Sequence, residues 1–280
     1  MGIRGGILTF CLILAGSTVQ GQIKDIGLPF VDNYMREEYN AGTQNWSVTQ
    51  DGIGRMYFGN NEGVLRFDGT DWELFPLPNS SIVRSVKWIE GKLYAGGFEE
   101  FGYFQVDETG DFIYHSLSDS LESEHRSFGE IWRIFPTDHG LVFQSFLRIF
   151  VIQEGEIEVY TPNSRFGFSY FAENNLFVVD RDFGLSILTA SGPFPVYSNS
   201  SFFRDNEITF ILSTGVNEYL LGTTMNGVFR FDGEKLRPWE APVNEELIRG
   251  QIYSGLKING EQIAVGTIRD GVYILDMEGN

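Results

Sequence analysis

The sequence predicts an all-β fold: a β-propeller of four-stranded antiparallel blades, with about six blades present and the last one incomplete. Three observations predict it. Residues Gln44 to Phe75 hold four short apolar runs, each closed by a turn signal. That unit recurs along the chain at a spacing of roughly forty residues. Aromatics make up 15 % of the 280 residues and glycine supplies 33, which suits short strands and tight turns.

The first unit shows the chemistry of the rest. WSVTQ ends at Asp51-Gly52, RMYFG at Asn60-Asn61, VLRF at Asp68-Gly69 and WELF at the loop from Pro76 to Ser81. Trp, Tyr, Phe, Val and Thr suit a pleated, half-buried surface, and Gly and Asn tolerate the positive φ of tight hairpins. The unit is therefore a four-stranded meander, residues 44–75. Its mark is a Gly followed by an apolar-x-x-aromatic step, Gly63 to Phe67, which returns at Gly227 to Phe231 and, with Leu in the aromatic place, at Gly271 to Leu275. Weaker copies begin at Gly102 and Gly184. A degenerate copy sits at Leu147 to Phe150. Gly63, Gly69, Gly227 and Gly233 are assigned wholly to turn geometry.

In order, the blades are expected near 44–75, 82–114, 129–160, 167–197, 207–239 and 251–280. His115 to Arg126 reads as a polar, acidic loop with room for one helical turn. The sixth unit stops before its fourth strand, which leaves a sheet edge of the kind natural proteins avoid. The chain is thus read as the front part of a longer protein. The alternative is that Leu28 to Asn40, in the lead-in segment 22–43, supplies the missing strand.

Residues 1–21 read as a secretory signal peptide: Arg4, then the apolar run Ile7 to Leu14, then small and polar residues. The expected cut lies before Gln22, with one after Ser17 as the alternative. Cys11 is the single cysteine and falls in that leader, so an exported mature chain would carry none. That fits a bacterial envelope compartment. No twenty-residue apolar run follows Gly21, so no membrane insertion is expected after cleavage. The net charge of −18 repels phosphate backbones and makes nucleic acid an improbable partner.

Val48 to Phe67, VTQDGIGRMYFGNNEGVLRF, resembles the two-component regulator propeller repeat. Tyr57-Phe58-Gly59 stands where that repeat has Leu-Trp-Ile-Gly, and Asn60 where it has Thr. Gln44-Asn45-Trp46, Asn60-Asn61 and Glu99 to Tyr103 look like the sensor ectodomains of Bacteroidetes. The resemblance covers about Pro29 to Asp276 and is weakest in blades three and four. It implies the N-terminal sensing end of a hybrid sensor kinase or a triple-tyrosine LuxR-type regulator. In that family more blades, a three-tyrosine domain, a membrane helix and an output domain follow. The implied place is the periplasm, with secretion as the alternative. The implied partners are downstream receptor domains or a receptor dimer partner.

Catalytic motifs are weak. Asp182-Phe183-Gly184 spells a kinase metal motif, but no Gly-rich phosphate loop or strand lysine accompanies it. Asp107 to Asp111 lacks calcium-loop spacing, and His115, His125 and His139 are scattered, so no metal and no cofactor is expected. A propeller glycoside hydrolase would need paired carboxylates, for which Glu99, Glu100, Asp180 and Asp182 are the candidates. Adjacent Glu99 and Glu100 cannot both face one substrate from a strand. The expectation is a non-catalytic sensor propeller; an exported hydrolase and a protein-binding scaffold are the alternatives. In a propeller, loops crowd one face of the axis. There Asn45, Trp46, Asn60, Asn61, Arg84, Glu99 and Glu100 are expected to converge on a glycan or other small ligand. Capping of strand ends is the equal alternative.

Overall fold

In the computed structural model the described residues are 31–280; the leader at 1–21, its cut, and residues 22–30 of the lead-in lie outside them. Residues Met35–Asn280 form one unit of six antiparallel sheets. The first holds β1 (Asn45–Gln50), β2 (Met56–Asn60), β3 (Gly63–Phe67) and β4 (Trp72–Phe75). The second holds β5 (Ser85–Ile89), β6 (Lys92–Gly96), β7 (Phe101–Val106) and β8 (Phe112–Ser116). The third holds β9 (Arg133–Thr137), β10 (Gly140–Gln144), β11 (Ile149–Gln153) and β12 (Glu156–Tyr160). The fourth holds β13 (Tyr170–Ala172), β14 (Asn175–Asp180), β15 (Gly184–Thr189) and β16 (Gly192–Ser198). The fifth holds β17 (Ile208–Gly215), β18 (Glu218–Thr223), β19 (Gly227–Phe231) and β20 (Leu236–Pro238). The sixth has three strands, β21 (Ile252–Lys257), β22 (Gln262–Thr267) and β23 (Val272–Asp276). The fold is a β-propeller, each sheet a blade.

Each blade alternates its side chains between two neighbours, and five separate cores result. Tyr57 and Val64 of blade one meet Leu93, Ala95 and Phe104 of blade two. Phe101 meets Ile134, Phe143 and Phe150 of blade three. Val142, Ile149 and Val151 meet Leu176, Val178 and Leu188 of blade four. Phe177, Val179 and Leu185 meet Ile211, Leu221 and Phe231 of blade five. Leu220 and Val228 meet Ile263, Val265 and Leu275 of blade six. A buried side chain of this kind contributes about 2 kcal/mol, so no blade is stable until a neighbour covers it. On blade six the opposite face stays open: Val272 and Ile274 are exposed.

Between blades, backbone ties repeat. Val83 donates its N–H to the Asn60 carbonyl at 3.0 Å, Ile131 to Gly97 at 2.8 Å, and Ile252 to Thr224 at 3.2 Å. Blade three has the same tie, Phe166 to the Phe146 carbonyl at 2.9 Å, and adds a side chain: the Gln144 Nε2 donates to the Gly167 carbonyl at 2.6 Å and its Oε1 accepts from the Ser169 amide at 2.9 Å. Close approach at these ties explains a glycine on the second strand. A Cβ on Gly96 would lie 2.4 Å from the Ile131 Cγ2.

Three short helices were not expected from the sequence: α1 (Arg36–Tyr39), α2 (Ser200–Asp205) and α3 (Asn244–Gly250). α2 is capped by the Asn199 Oδ1, which accepts from the Phe202 amide, and it buries Phe203. α3 buries Leu247, and its Asn244 bridges blade five by accepting from the Val228 amide and donating to the Trp239 carbonyl. Helices of one or two turns carry too little periodicity to separate from loops. The loop expected from His115 instead starts later, because β8 runs to Ser116, and it holds two 3-10 turns, Ser118–Ser120 and Ser123–His125.

Candidate functional site

The inner strands share one repeated position. Ser47 pairs with Gly59, Ser85 with Gly96, Arg133 with Gln144, and Ser254 with Gly266. The residue just before each is Trp46, Arg84, Trp132 and Tyr253. In blades one and six this residue is the extra one of a β-bulge, which re-aims a side chain away from the pleat. All four line one cavity of about 550 Å³ at the axis, with Val48, Lys87, Arg133, Pro136, Phe168 and Phe171 among the other walls. That size suits a ligand as large as a disaccharide.

The cavity is built around one guanidinium. The Arg84 carbon Cζ lies 3.8 Å from the centre of the Trp46 ring and 4.8 Å from that of Trp132. Its Nε donates to the Glu130 Oε1 at 2.8 Å, and its Nη2 donates to the same oxygen. Its Nη1 is buried and has no hydrogen-bond partner among the described residues. Trp132 continues into an aromatic group: Phe146 at 5.6 Å and Phe168 edge-on at 6.0 Å. Arg133 stands over Phe168 at 5.1 Å. Cation–π contacts are stronger when desolvated, and Arg84 is only 12 % exposed, so this stack holds the two indoles and the charge in fixed geometry.

Of the seven expected ligand residues, the structure brings Trp46 and Arg84 to the cavity wall. The three asparagines make the neighbouring support. The Trp46 Nε1 donates to the Asn61 Oδ1 at 2.7 Å, and the fully buried Asn60 donates from Nδ2 to the Gly42 carbonyl and to the Asn45 Oδ1. Those amides are spent on strand ends and on the aim of Trp46. Glu99 and Glu100 lie outside the wall. Glu99 has a left-handed φ of 50° and its Oε1 accepts from the Ser127 hydroxyl at 3.0 Å. Glu100 is buried, and its Oε1 accepts from Tyr114 at 2.9 Å, Ser116 at 2.8 Å and Ser118 at 2.9 Å. Asp180 accepts from the amides of Asp182 and Phe183 and serves a turn, while Asp182 pairs with Arg204 at 3.1 Å. Gly63, Gly69, Gly227 and Gly233 have φ of 142°, 106°, 74° and 86°.

Trp132, Arg133, Phe168 and Tyr253 are wall residues that the sequence reading passed over. Aligning the blades on the second-strand glycine would have found Tyr253, which falls at the position of Trp46; blade three has Gln144 in place of that glycine, so Trp132 carried no such signal. Among the described residues one cluster has ligand atoms near enough for a cation, Glu122, Glu124 and His125. It sits on the exposed loop after blade two and carries nothing further.

No family model matches this chain, and no curated protein matches it. Solved structures do. The extracellular domain of the putative hybrid two component system BT4673 from B. thetaiotaomicron aligns with a TM-score of 0.58 at 16 % identity. That alignment covers 84 % of this chain and 32 % of that one, so the chain spans about a third of that ectodomain. The WD40 β-propeller domain of Doa1 aligns with a TM-score of 0.58 at 13 % identity, covering 85 % and 80 %. BamB from Moraxella catarrhalis aligns with a TM-score of 0.54 at 12 % identity, covering 81 % and 67 %. At these identities the likeness shows the fold: the chain is similar to propellers that include a two-component sensor ectodomain and a WD40 domain.

Proposed function

We propose that this chain is an exported, non-catalytic propeller that binds a small ligand in its axial cavity as the sensing part of a signal-transduction receptor. The observation that carries the reading is the Trp46–Arg84–Trp132 stack on the wall of the 550 Å³ cavity. A merely structural axis would be filled by packed side chains. Here Trp46, Phe171 and Tyr253 turn aromatic surface toward open space, at 37 %, 47 % and 73 % exposure. Amphipathic rings with a fixed polar partner suit sugars, whose ring faces are apolar and whose rims bear hydroxyls. No carboxylate stands on the wall among the described residues, so the geometry favours binding over glycoside hydrolysis. The likeness to a sensor ectodomain supports the receptor role, and the resemblance of Val48 to Phe67 supports the periplasm as its place.

The test is a thermal-shift and turnover screen of the purified protein against oligosaccharides. The expected result is a stabilised protein with unchanged ligand, and loss of the shift in Trp132→Ala. Release of a cleaved product that survives active-site controls would overturn the non-catalytic reading. The protein-scaffold alternative predicts no shift from any small molecule and capture of a partner on a rim face instead.

A further inference from the structure

Acidic residues outnumber basic ones 38 to 20 in this chain, yet the cavity wall reverses the balance. Its charged side chains are Arg84, Lys87 and Arg133, and among the described residues it holds no Asp or Glu. Glu130 lies behind Arg84 and accounts for one positive charge. Lys87 and Arg133 have no ion-pair partner there and are exposed. Arg133 is held over the Phe168 ring, so its charge stands beside an aromatic face. The Nη1 of Arg84 is buried without a hydrogen-bond partner among the described residues, so the positive charge of that side chain is only partly satisfied by Glu130.

We infer that the axial site selects a ligand joining a carboxylate to a ring face, that is, an acidic saccharide of the hexuronate type. This rests on the ligand-binding reading of the same cavity and names its substrate class. The argument is one of sign. A neutral sugar would satisfy the aromatic faces but leave two unpaired cations in a partly enclosed cavity, where repulsion is less screened than in bulk water. A carboxylate offers Arg133 the planar, two-oxygen acceptor that a guanidinium matches, with Lys87 as a second point charge. The pyranose face then rests on Tyr253, Phe171 or Trp46. An overall charge of −18 would repel a polyanion at long range, so a one- or two-residue ligand that enters the axis is favoured over a long acidic chain.

The experiment is calorimetric titration of the full chain with digalacturonate and with its dimethyl ester, which keeps both rings and removes both charges. The acid is expected to bind at least tenfold more tightly than the ester, with affinity falling as salt rises. Arg133→Gln and Lys87→Gln, both at exposed positions, should each weaken the acid about fivefold and narrow the gap between acid and ester. Equal binding of acid and ester would overturn the charge selection while leaving the ligand cavity standing. Binding of neither, together with no response to the oligosaccharide screen, would overturn both. A glutamate-rich peptide binding more tightly than digalacturonate would overturn the sugar-ring part of the inference.

Discussion

The Arg84 guanidinium sits 3.8 Å from the centre of the Trp46 ring and is anchored through Nε and Nη2 by Glu130. Two blades and the approach to a third are tied by that one cation. The Trp46 aim depends on a bulge in β1 and on the Asn61 side-chain Oδ1 that its indole N–H reaches at 2.7 Å. Arg84→Met should leave Glu130 without its donor and lower stability by about 1–3 kcal/mol in urea unfolding. A double-mutant cycle with Trp46→Ala should return a coupling of about 1 kcal/mol. Additive effects would show that the ring and the cation do not act together.

Second-strand glycines should matter more than hairpin glycines with open surroundings. A Cβ on Gly96 meets Ile131 at 2.4 Å, and the backbone tie from Ile131 to Gly97 fixes that approach. Gly96→Ala should cost about 2–3 kcal/mol, as overpacking of a fitted interface does. Gly69→Ala meets nothing within reach and pays only for its positive φ of 106°, about 1–2 kcal/mol. Urea midpoints of the two variants give the order. A reversed order would mean that the blades can part at no cost.

Acid stability should pass through Asp51. Burial pushes its carboxyl pKa up, but the Arg55 side chain, the amides of Ile53 and Arg55 and the Tyr57 hydroxyl outweigh burial and hold it below 3.8. A lowered folded value stabilises the protein above the unfolded pKa, near 4, and that contribution is lost as pH falls through the folded value. Asp51→Asn should therefore be less stable than the parent at pH 7, with the gap closing below about pH 4. Burial also pushes Tyr57 up, to about 12, so its contribution holds below pH 10 and fades between 10 and 12. Stability measured against pH in parent and variant checks both limbs.

Glu100 is expected to be structural. Three hydroxyls converge on its Oε1, so Glu100→Gln keeps an acceptor and should unfold within about 1 kcal/mol of the parent. Glu100→Ala leaves the Tyr114 hydroxyl without its acceptor and the Ser116 and Ser118 hydroxyls with only each other, and should cost about 2–4 kcal/mol. Neither should change ligand binding at the axis. A loss of binding in Glu100→Gln with intact stability would return Glu100 to the site.

The fold was legible because each blade obeys the same rules of alternation and turn chemistry. Tyr57 and Val64 bury on one face at period two, and Asp68-Gly69 closes the hairpin that follows. The asparagines were legible only as polar residues near strand ends; whether Asn60 met a ligand or the Gly42 carbonyl was a matter of tertiary approach. Glu99 and Glu100 misled for the same reason, since their partners Ser127 and Tyr114 lie 28 and 14 residues away in sequence. Trp132 and Tyr253 were hidden because the site is assembled from short stretches of several blades, far apart in sequence. No local motif spans it.

The central claim is that the axis is a ligand site built on Trp46 and Trp132. The chain has five tryptophans, so a nitrogen–proton NMR spectrum shows five indole signals, assignable by single Trp→Phe variants. Titration with digalacturonate should move the signals of Trp46 and Trp132 together, and leave those of Trp72, Trp88 and Trp239 in place. Movement confined to Trp72, Trp88 or Trp239, or a spectrum unchanged at saturating ligand, would contradict it.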